Sequence, residues 1–217
     1  MSKAFFLTVA GLVALSIALP SRQQQILSPE QPSRTIFGPN GDAGWGEASS
    51  WRSVTDRVRG GISTASLNIS DIEKAVFSGI LDTSTLGGAG FASVRANLST
   101  TDFSNFEGIQ ITSLKGDGFT YALNLYNELG GWRPDGRRES SVEFKYSFKP
   151  TTSANNELQI FEAPFEDFVP YYRGRPVEGV SKKLNASNIV AVSVMVQSYF
   201  DEQKGPYHIE LKSIECY

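Results

Sequence analysis

The sequence predicts an all-β fold, a two-sheet sandwich or jelly roll. Apolar and polar residues alternate in several short segments, the pattern of strands with one face in a core. Turn signals such as Gly116-Asp117-Gly118 and Pro134-Asp135-Gly136 separate these segments. No segment keeps helical periodicity beyond about two turns. About eight strands at this spacing are typical of a sandwich or jelly roll.

The clearest strand is Val142–Phe148, which alternates between an apolar face and a face carrying Glu143 and Lys145. We expect the apolar face to line a core and the other face to be wet. Phe119–Leu125 and Gly90–Leu98 repeat the pattern. Ile189–Val196 is apolar on both faces, which predicts a central strand. Four more strands are expected from shorter runs: Ala75–Leu81, Ile109–Leu114, Leu158–Ala163 and Tyr207–Ile214.

Composition excludes several kinds of site. The chain has 217 residues, 40% of them hydrophobic, with 20 Lys+Arg against 23 Asp+Glu. This near balance argues against a broad nucleic-acid surface, which concentrates basic residues. A single cysteine, Cys216, and a single histidine, His208, exclude an internal disulfide, a cysteine-based zinc site, an iron–sulfur cluster and any site with two imidazoles. We expect no metal and no cofactor.

The first residues predict a secretory leader. Lys3 precedes the apolar run Ala4–Leu19, which is short for a membrane span and resembles a signal peptide cut after Ala18; an uncleaved anchor is the alternative. We therefore expect a signal peptide at 1–18, a flexible lead-in at 19–36, a β domain at 37–217 and no transmembrane span in the mature chain. The expected location is the secretory pathway or the extracellular space, and three glycosylation sequons agree with it: Asn68, Asn97 and Asn185.

The densest cluster of polar and aromatic residues lies between positions 51 and 63. Trp51 and Asp56 precede the pair Gly60-Gly61, and Ser63 follows. A tryptophan ring beside a carboxylate could form a platform for a sugar. In the structural alternative, Trp51 packs in the core and Asp56 accepts hydrogen bonds from the glycine turn.

A second cluster, Gly87–Arg95, is rich in glycine but leads into a strand. Phosphate-binding glycine loops lead into helices, so a phosphate site is disfavoured. Arg95 could pair with Asp56 or Asp117, or meet an anionic ligand. Asp117 fits a hairpin turn. A glycosidase would need Asp117 beside a second carboxylate. A serine hydrolase would need a serine in a nucleophile elbow, and the sequence has none. We therefore expect no catalytic residue. The carboxylates that could partner Asp117 are Glu162, Glu166 and Asp167.

Together these motifs resemble the complex I intermediate-associated protein 30 family over about residues 37–214. The resemblance implies a galactose-binding-domain-like β-sandwich without catalytic activity. It also implies a role like that of the founding members, assembly chaperones that hold partly built complex I in mitochondria, which makes the mitochondrion the alternative location. The matching residues are Trp51, Val54, Asp56, Val58, Gly60, Gly61, Ser63, Phe77, Gly79, Leu81, Gly87, Gly88, Gly90–Arg95, Gly116–Gly118 and Tyr121.

The expected function is therefore a non-catalytic, chaperone-like module that binds a protein client. The alternative is a secreted carbohydrate-binding protein that uses aromatic rings such as Trp51 and Trp132 beside polar groups. We expect the glycine-marked loops to gather one candidate binding surface, made of Trp51, Asp56, Gly60, Gly61, Ser63, Arg95 and Asp117.

Overall fold

The computed structural model describes residues 33–41, 44–152, 157–177 and 182–217. The predicted signal peptide and nearly all of the lead-in lie outside the described residues. Within those residues the secondary structure consists of strands and short 3-10 helices, which confirms the all-β prediction. The 3-10 helices cover Ala48–Ser50, Asp56–Arg59 and Phe165–Asp167.

The strands form two antiparallel sheets. In chain order they are β1 (Arg34–Phe37), β2 (Arg52–Thr55), β3 (Thr64–Asp71), β4 (Lys74–Leu81), β5 (Phe91–Asn97), β6 (Gly108–Lys115), β7 (Tyr121–Tyr126), β8 (Glu143–Phe148), β9 (Gln159–Pro164), β10 (Val169–Tyr172), β11 (Arg175–Pro176), β12 (Ala191–Gln197) and β13 (Gly205–Cys216). The six-stranded sheet has the order β3-β4-β13-β6-β9, with β1 also paired to β13. The seven-stranded sheet has the order β11-β10-β8-β7-β12-β5-β2.

The core lies between the sheets and is built from alternate residues of each strand. In the seven-stranded sheet, Val194 of β12 is paired with Leu123 of β7 on one side and Val94 of β5 on the other. All three side chains are buried. Because β12 lies between two strands and is buried along most of its length, the prediction of a central strand here is confirmed.

All eight strands expected from the sequence are present, with ends shifted by a few residues. β1, β2, β3, β10 and β11 were not predicted. β2 is short and mostly polar, and Pro170 and Pro176 interrupt the strand pattern of β10 and β11. The prediction of a wet face on β8 is wrong at Lys145, which is only 4% exposed. Its side chain lies on the sheet face that points away from the core, and neighbouring side chains cover it.

Candidate functional site

The face of the seven-stranded sheet that points away from the core, here called the outer face, has a buried polar floor. Asn124 of β7 is the register partner of Ser193 of β12, and its Nδ2 donates to Ser193 Oγ at 3.2 Å. The Tyr126 hydroxyl lies 3.3 Å from the same oxygen and donates to Glu143 Oε2 at 3.3 Å. Burial, reinforced by Glu143, raises the pKa of Tyr126, so its hydroxyl stays protonated. In the described part of the chain, Asn124 Oδ1 is buried without a hydrogen-bond partner.

Lys145 extends this floor toward β10. Its Nζ donates to Gln197 Oε1 at 2.9 Å and lies 3.5 Å from Glu143 Oε1. The same ammonium lies 4.2 Å from the ring centroid of Tyr171. Burial lowers the pKa of Lys145, and the neighbouring Glu143 carboxylate opposes that shift. This half of the outer face is therefore closed by its own side chains.

A hairpin of residues 130–139, here called the crossing hairpin, covers the other half. Its two arms are joined by hydrogen bonds from Glu139 N to Gly131 O (2.9 Å) and from Arg133 N to Arg137 O (2.8 Å). It connects β7 to β8, yet the Arg137 guanidinium donates to the carbonyl of Val58, just after β2, at 3.3 Å. Since β12 and β5 lie between β7 and β2 in the sheet, the hairpin passes over both strands.

Beneath the crossing hairpin lies a recess of about 230 Å³, here called the arginine recess. The sheet supplies Arg52 and Arg95, which are register partners on β2 and β5. The hairpin supplies Trp132, whose side chain is 59% exposed, and Arg138, whose Nη1 donates to the Gly130 carbonyl at 2.8 Å. The residues that line the recess are Ser50, Arg52, Arg95, Asn97, Trp132 and Arg138.

Three of the six residues that line the recess are arginines, so it carries positive charge. The guanidinium carbons of Arg52 and Arg138 lie 5.0 and 4.4 Å from the Trp132 ring centroid, and that of Arg95 lies 5.6 Å from the Tyr126 centroid. None of these three arginines forms an ion pair among the residues that the structure describes. Burial, with added repulsion from Arg138 and Arg52, lowers the pKa of Arg95. The arrangement favours an anionic group between the guanidiniums.

Most of the residues that the sequence singled out lie elsewhere, around the buried side chain of Asp56. Its carboxylate accepts hydrogen bonds from Ser63 N (3.0 Å), Ser63 Oγ and Phe91 N (3.3 Å). A Cβ on Gly61 would lie only 2.3 Å from Asp56 Oδ1, so only glycine fits there. We call this group the Asp56 junction; it ties the loop after β2 to the starts of β3 and β5.

Trp51 and Gly60 adjoin the Asp56 junction. Trp51 is 6% exposed, packs against Phe37 and Trp45, and donates from Nε1 to the Trp45 carbonyl at 2.9 Å. Gly60 has φ +90°, a left-handed conformation that favours glycine. The side chain of Trp51 thus contributes to the core and offers no open ring face.

Asp117 lies in a third place. It accepts hydrogen bonds from Phe119 N (2.9 Å), the Tyr121 hydroxyl (2.9 Å) and His208 N (2.6 Å), which tie the turn before β7 to β13. Burial, together with the Asp117 charge, raises the pKa of Tyr121. The carboxylates considered as its catalytic partners are exposed on other segments: Glu162, Glu166 and Asp167.

The residues that were expected to form one binding surface therefore lie in three separate places. Asp56, Gly61 and Ser63 form the junction with Gly60 and Trp51 beside them, Asp117 has its own set of partners, and Arg95 lies on the outer face. Arg95 pairs with neither Asp56 nor Asp117 among the described ion pairs and hydrogen bonds. Sequence reasoning missed Arg52 and Arg138, although an aromatic residue followed by arginines between two strands was a usable signal.

The described residues contain neither a metal-binding cluster nor a membrane-spanning helix. Over the described ranges, no group of three or more His, Cys, Asp or Glu side chains could hold a metal ion. No helix within those ranges has the length and apolarity needed to cross a membrane.

Solved β-sandwich structures share this fold. The chain resembles the family 11 carbohydrate-binding module from Clostridium thermocellum solved with a β-1,3-1,4-mixed-linked tetrasaccharide, with a TM-score of 0.55 and 16% identity over 85% of this chain and 94% of that one. The corresponding module of the cellulosomal cellulase Lic26A-Cel5E from the same organism gives 0.56 and 16% over 86% and 95%. At this identity the likeness shows a shared galactose-binding-like β-sandwich fold.

The family is shown by sequence. The profile of "Complex I intermediate-associated protein 30 (CIA30)" matches residues 41–211. The chain belongs to this family, which confirms the resemblance seen in its motifs. A relative, "Uncharacterized protein C9E9.15" of Schizosaccharomyces pombe, is 38% identical over 183 residues, covering 79% of this chain and 82% of the relative.

Proposed function

We propose that the chain is a non-catalytic binding module that holds a protein client during assembly. The observation that carries the proposal is the family match over residues 41–211, because the family is described by its association with intermediates of complex I. The client proposed on this ground is a partly assembled complex of that type.

The side-chain chemistry supports binding rather than turnover. The carboxylates of Asp56 and Asp117 are engaged with backbone amides and hydroxyls of the loops and strands that they join. The arginine recess offers guanidiniums, an exposed tryptophan and an amide, which are groups that recognise a partner. A binding site of this kind needs only complementarity of charge and shape.

The location proposed from the leader at 1–18 is the secretory pathway, and the family gives the mitochondrion as its alternative. A chain tagged at its C-terminus is followed by cell fractionation and by glycosidase digestion. Migration with complex I intermediates on native gels supports the assembly role. Recovery in the secretory fraction alone, with a glycosidase-sensitive band and no complex I subunit attached, would refute that client.

A second candidate function is carbohydrate binding. It is favoured by Trp132, a residue that is 59% exposed and lies beside polar groups of the recess, since an aromatic ring with polar groups beside it is the kind of surface a sugar site uses. A glycan array with the full chain tests it, with Trp132→Ala as the variant expected to lose signal. An array without a binder, or unchanged binding by Trp132→Ala, would exclude this site.

A further inference from the structure

The arginine recess adjoins an open sheet edge. β2 is the last strand of the seven-stranded sheet, and in the described part of the chain its hydrogen-bonded neighbour is β5 alone. Arg52 is the first residue of β2, it lines the recess, and it is exposed, as is Ser53 beside it. An edge strand has backbone N–H and C=O groups ready to pair with another extended chain.

We propose that an extended acidic peptide segment of the client pairs with the free edge of β2 and places a carboxylate side chain in the arginine recess. This inference rests on the proposed function, since it takes the partner to be a protein.

Charge is the first reason. Arg52, Arg95 and Arg138 converge on one recess without an ion pair among the described residues, so each repels the other two. A carboxylate between them gains charge-assisted, partly bidentate hydrogen bonds and relieves this repulsion. Asn97 and Ser50 add neutral donors at the rim.

The shape of the recess is the second reason. Its volume of about 230 Å³ is below that of a typical small-molecule pocket and suits a single side chain. A guanidinium already lies 4.4 Å from the Trp132 centroid, so that part of the ring is not a bare platform for a neutral sugar. The adjacent edge supplies backbone donors and acceptors at the repeat of an extended chain, which a peptide strand matches along its length.

The test titrates the full chain with an N-acetylated, C-amidated peptide of alternating Gly and Glu residues, using calorimetry. A matched peptide with Gln in place of Glu keeps the length and the backbone. We expect binding of the Glu peptide that weakens with added salt, and binding of the Gln peptide weaker by about ten-fold or more. Equal binding of the two peptides would overturn the inference.

Variants locate the site. Arg52→Gln and Arg138→Gln are each expected to weaken the Glu peptide by about five-fold or more. Arg138→Gln could disturb the crossing hairpin, because Arg138 donates to the Gly130 carbonyl. The side chain of Arg52 makes no described hydrogen bond, so Arg52→Gln tests the site without that risk. Arg175→Gln, on the exposed β11 at the opposite edge of the sheet, is the matched control and should bind normally. Equal losses in all three variants would show that the recess is not the site.

A backbone-methylated Glu peptide tests the strand pairing, because it keeps the charge and cannot form a ladder. We expect it to bind about ten-fold more weakly than its parent; equal binding would overturn the pairing with β2. An oligogalacturonate that binds more tightly than the peptide and is lost in Arg52→Gln would assign the recess to an acidic glycan instead.

The two proposals fail separately. If complex I intermediates co-purify with the chain and the Glu peptide does not bind, the acidic-segment inference is refuted and the assembly role stands. If the Glu peptide binds and is lost in Arg52→Gln, while the tagged chain yields no protein client in any cell fraction, the assembly role is refuted.

Discussion

Replacing Asp56 with alanine tests how much stability depends on the Asp56 junction. The carboxylate is 1% exposed and accepts three hydrogen bonds, two of them from backbone amides, Ser63 N and Phe91 N. Asp56→Ala leaves both amides without this acceptor, the amide of Ser63 in a buried position and that of Phe91 in a partly buried one.

The expected cost follows from these orphaned donors. A buried donor without a partner costs about 1–3 kcal/mol. For the amides of Ser63 and Phe91, together with the lost bond from the Ser63 hydroxyl, we expect Asp56→Ala to reduce the free energy of unfolding by about 4 kcal/mol. With a denaturant dependence of about 2.5 kcal/mol per M of urea, the midpoint falls by about 1.5 M.

Urea unfolding followed by tryptophan fluorescence measures this change, because Trp45 and Trp51 are buried and report on the loss of the core. Asp102→Ala is the matched control. Asp102 also accepts bonds from a backbone amide and a hydroxyl, those of Ser104, but it is exposed, and its midpoint should stay near that of the unsubstituted chain. A midpoint for Asp56→Ala within about 0.3 M of the unsubstituted chain would refute the reasoning.

Three further outcomes are expected. Gly90→Ala, whose Cβ would lie 2.1 Å from a backbone carbonyl oxygen, should lower the urea midpoint, whereas Gly131→Ala, with nothing within 4 Å, should not. Burial raises the pKa of Cys216 to about 12, so a thiol reagent at pH 8 should label it only at the rate of unfolding; rapid labelling of the folded chain would contradict this. The hydrogen bond from Lys74 lowers the pKa of Glu210, so this carboxylate stabilises the fold above its unfolded-state pKa and loses that contribution as the pH falls through its folded-state pKa. Glu210→Gln should therefore flatten the acid side of a curve of urea midpoint against pH, and an unchanged curve would contradict it.

Local pattern was sufficient for most of the fold. β8 alternates over its whole length and β5 and β7 over most of theirs, which predicts strands, and β12 is apolar on both faces, which predicts a central one. Among the strands that were missed, β2, β10 and β11 have weaker local signals. β2 is polar because its outer side faces solvent, and the prolines of β10 and β11 are tolerated only because these strands lie toward a sheet edge.

The candidate site could not be predicted in the same way. Arg52 and Arg95 are brought together by the pairing of β2 with β5, and Arg138 joins them because the crossing hairpin passes over two strands. These contacts depend on strand order and loop direction, which local periodicity does not encode. The glycine and aspartate motifs were easier to see, and in the structure the two aspartates join their loops to neighbouring strands and do not line the recess.

The position of Asn97 has a practical consequence. This residue begins the sequon Asn97-Leu98-Ser99, and its exposed side chain lines the arginine recess. An oligosaccharide attached there would occupy the space in front of Arg52 and Arg95. Protein produced in bacteria and protein secreted from a eukaryotic host with that sequon occupied would then differ in the surface they offer to a ligand, and Asn97→Gln removes that difference at the arginine recess.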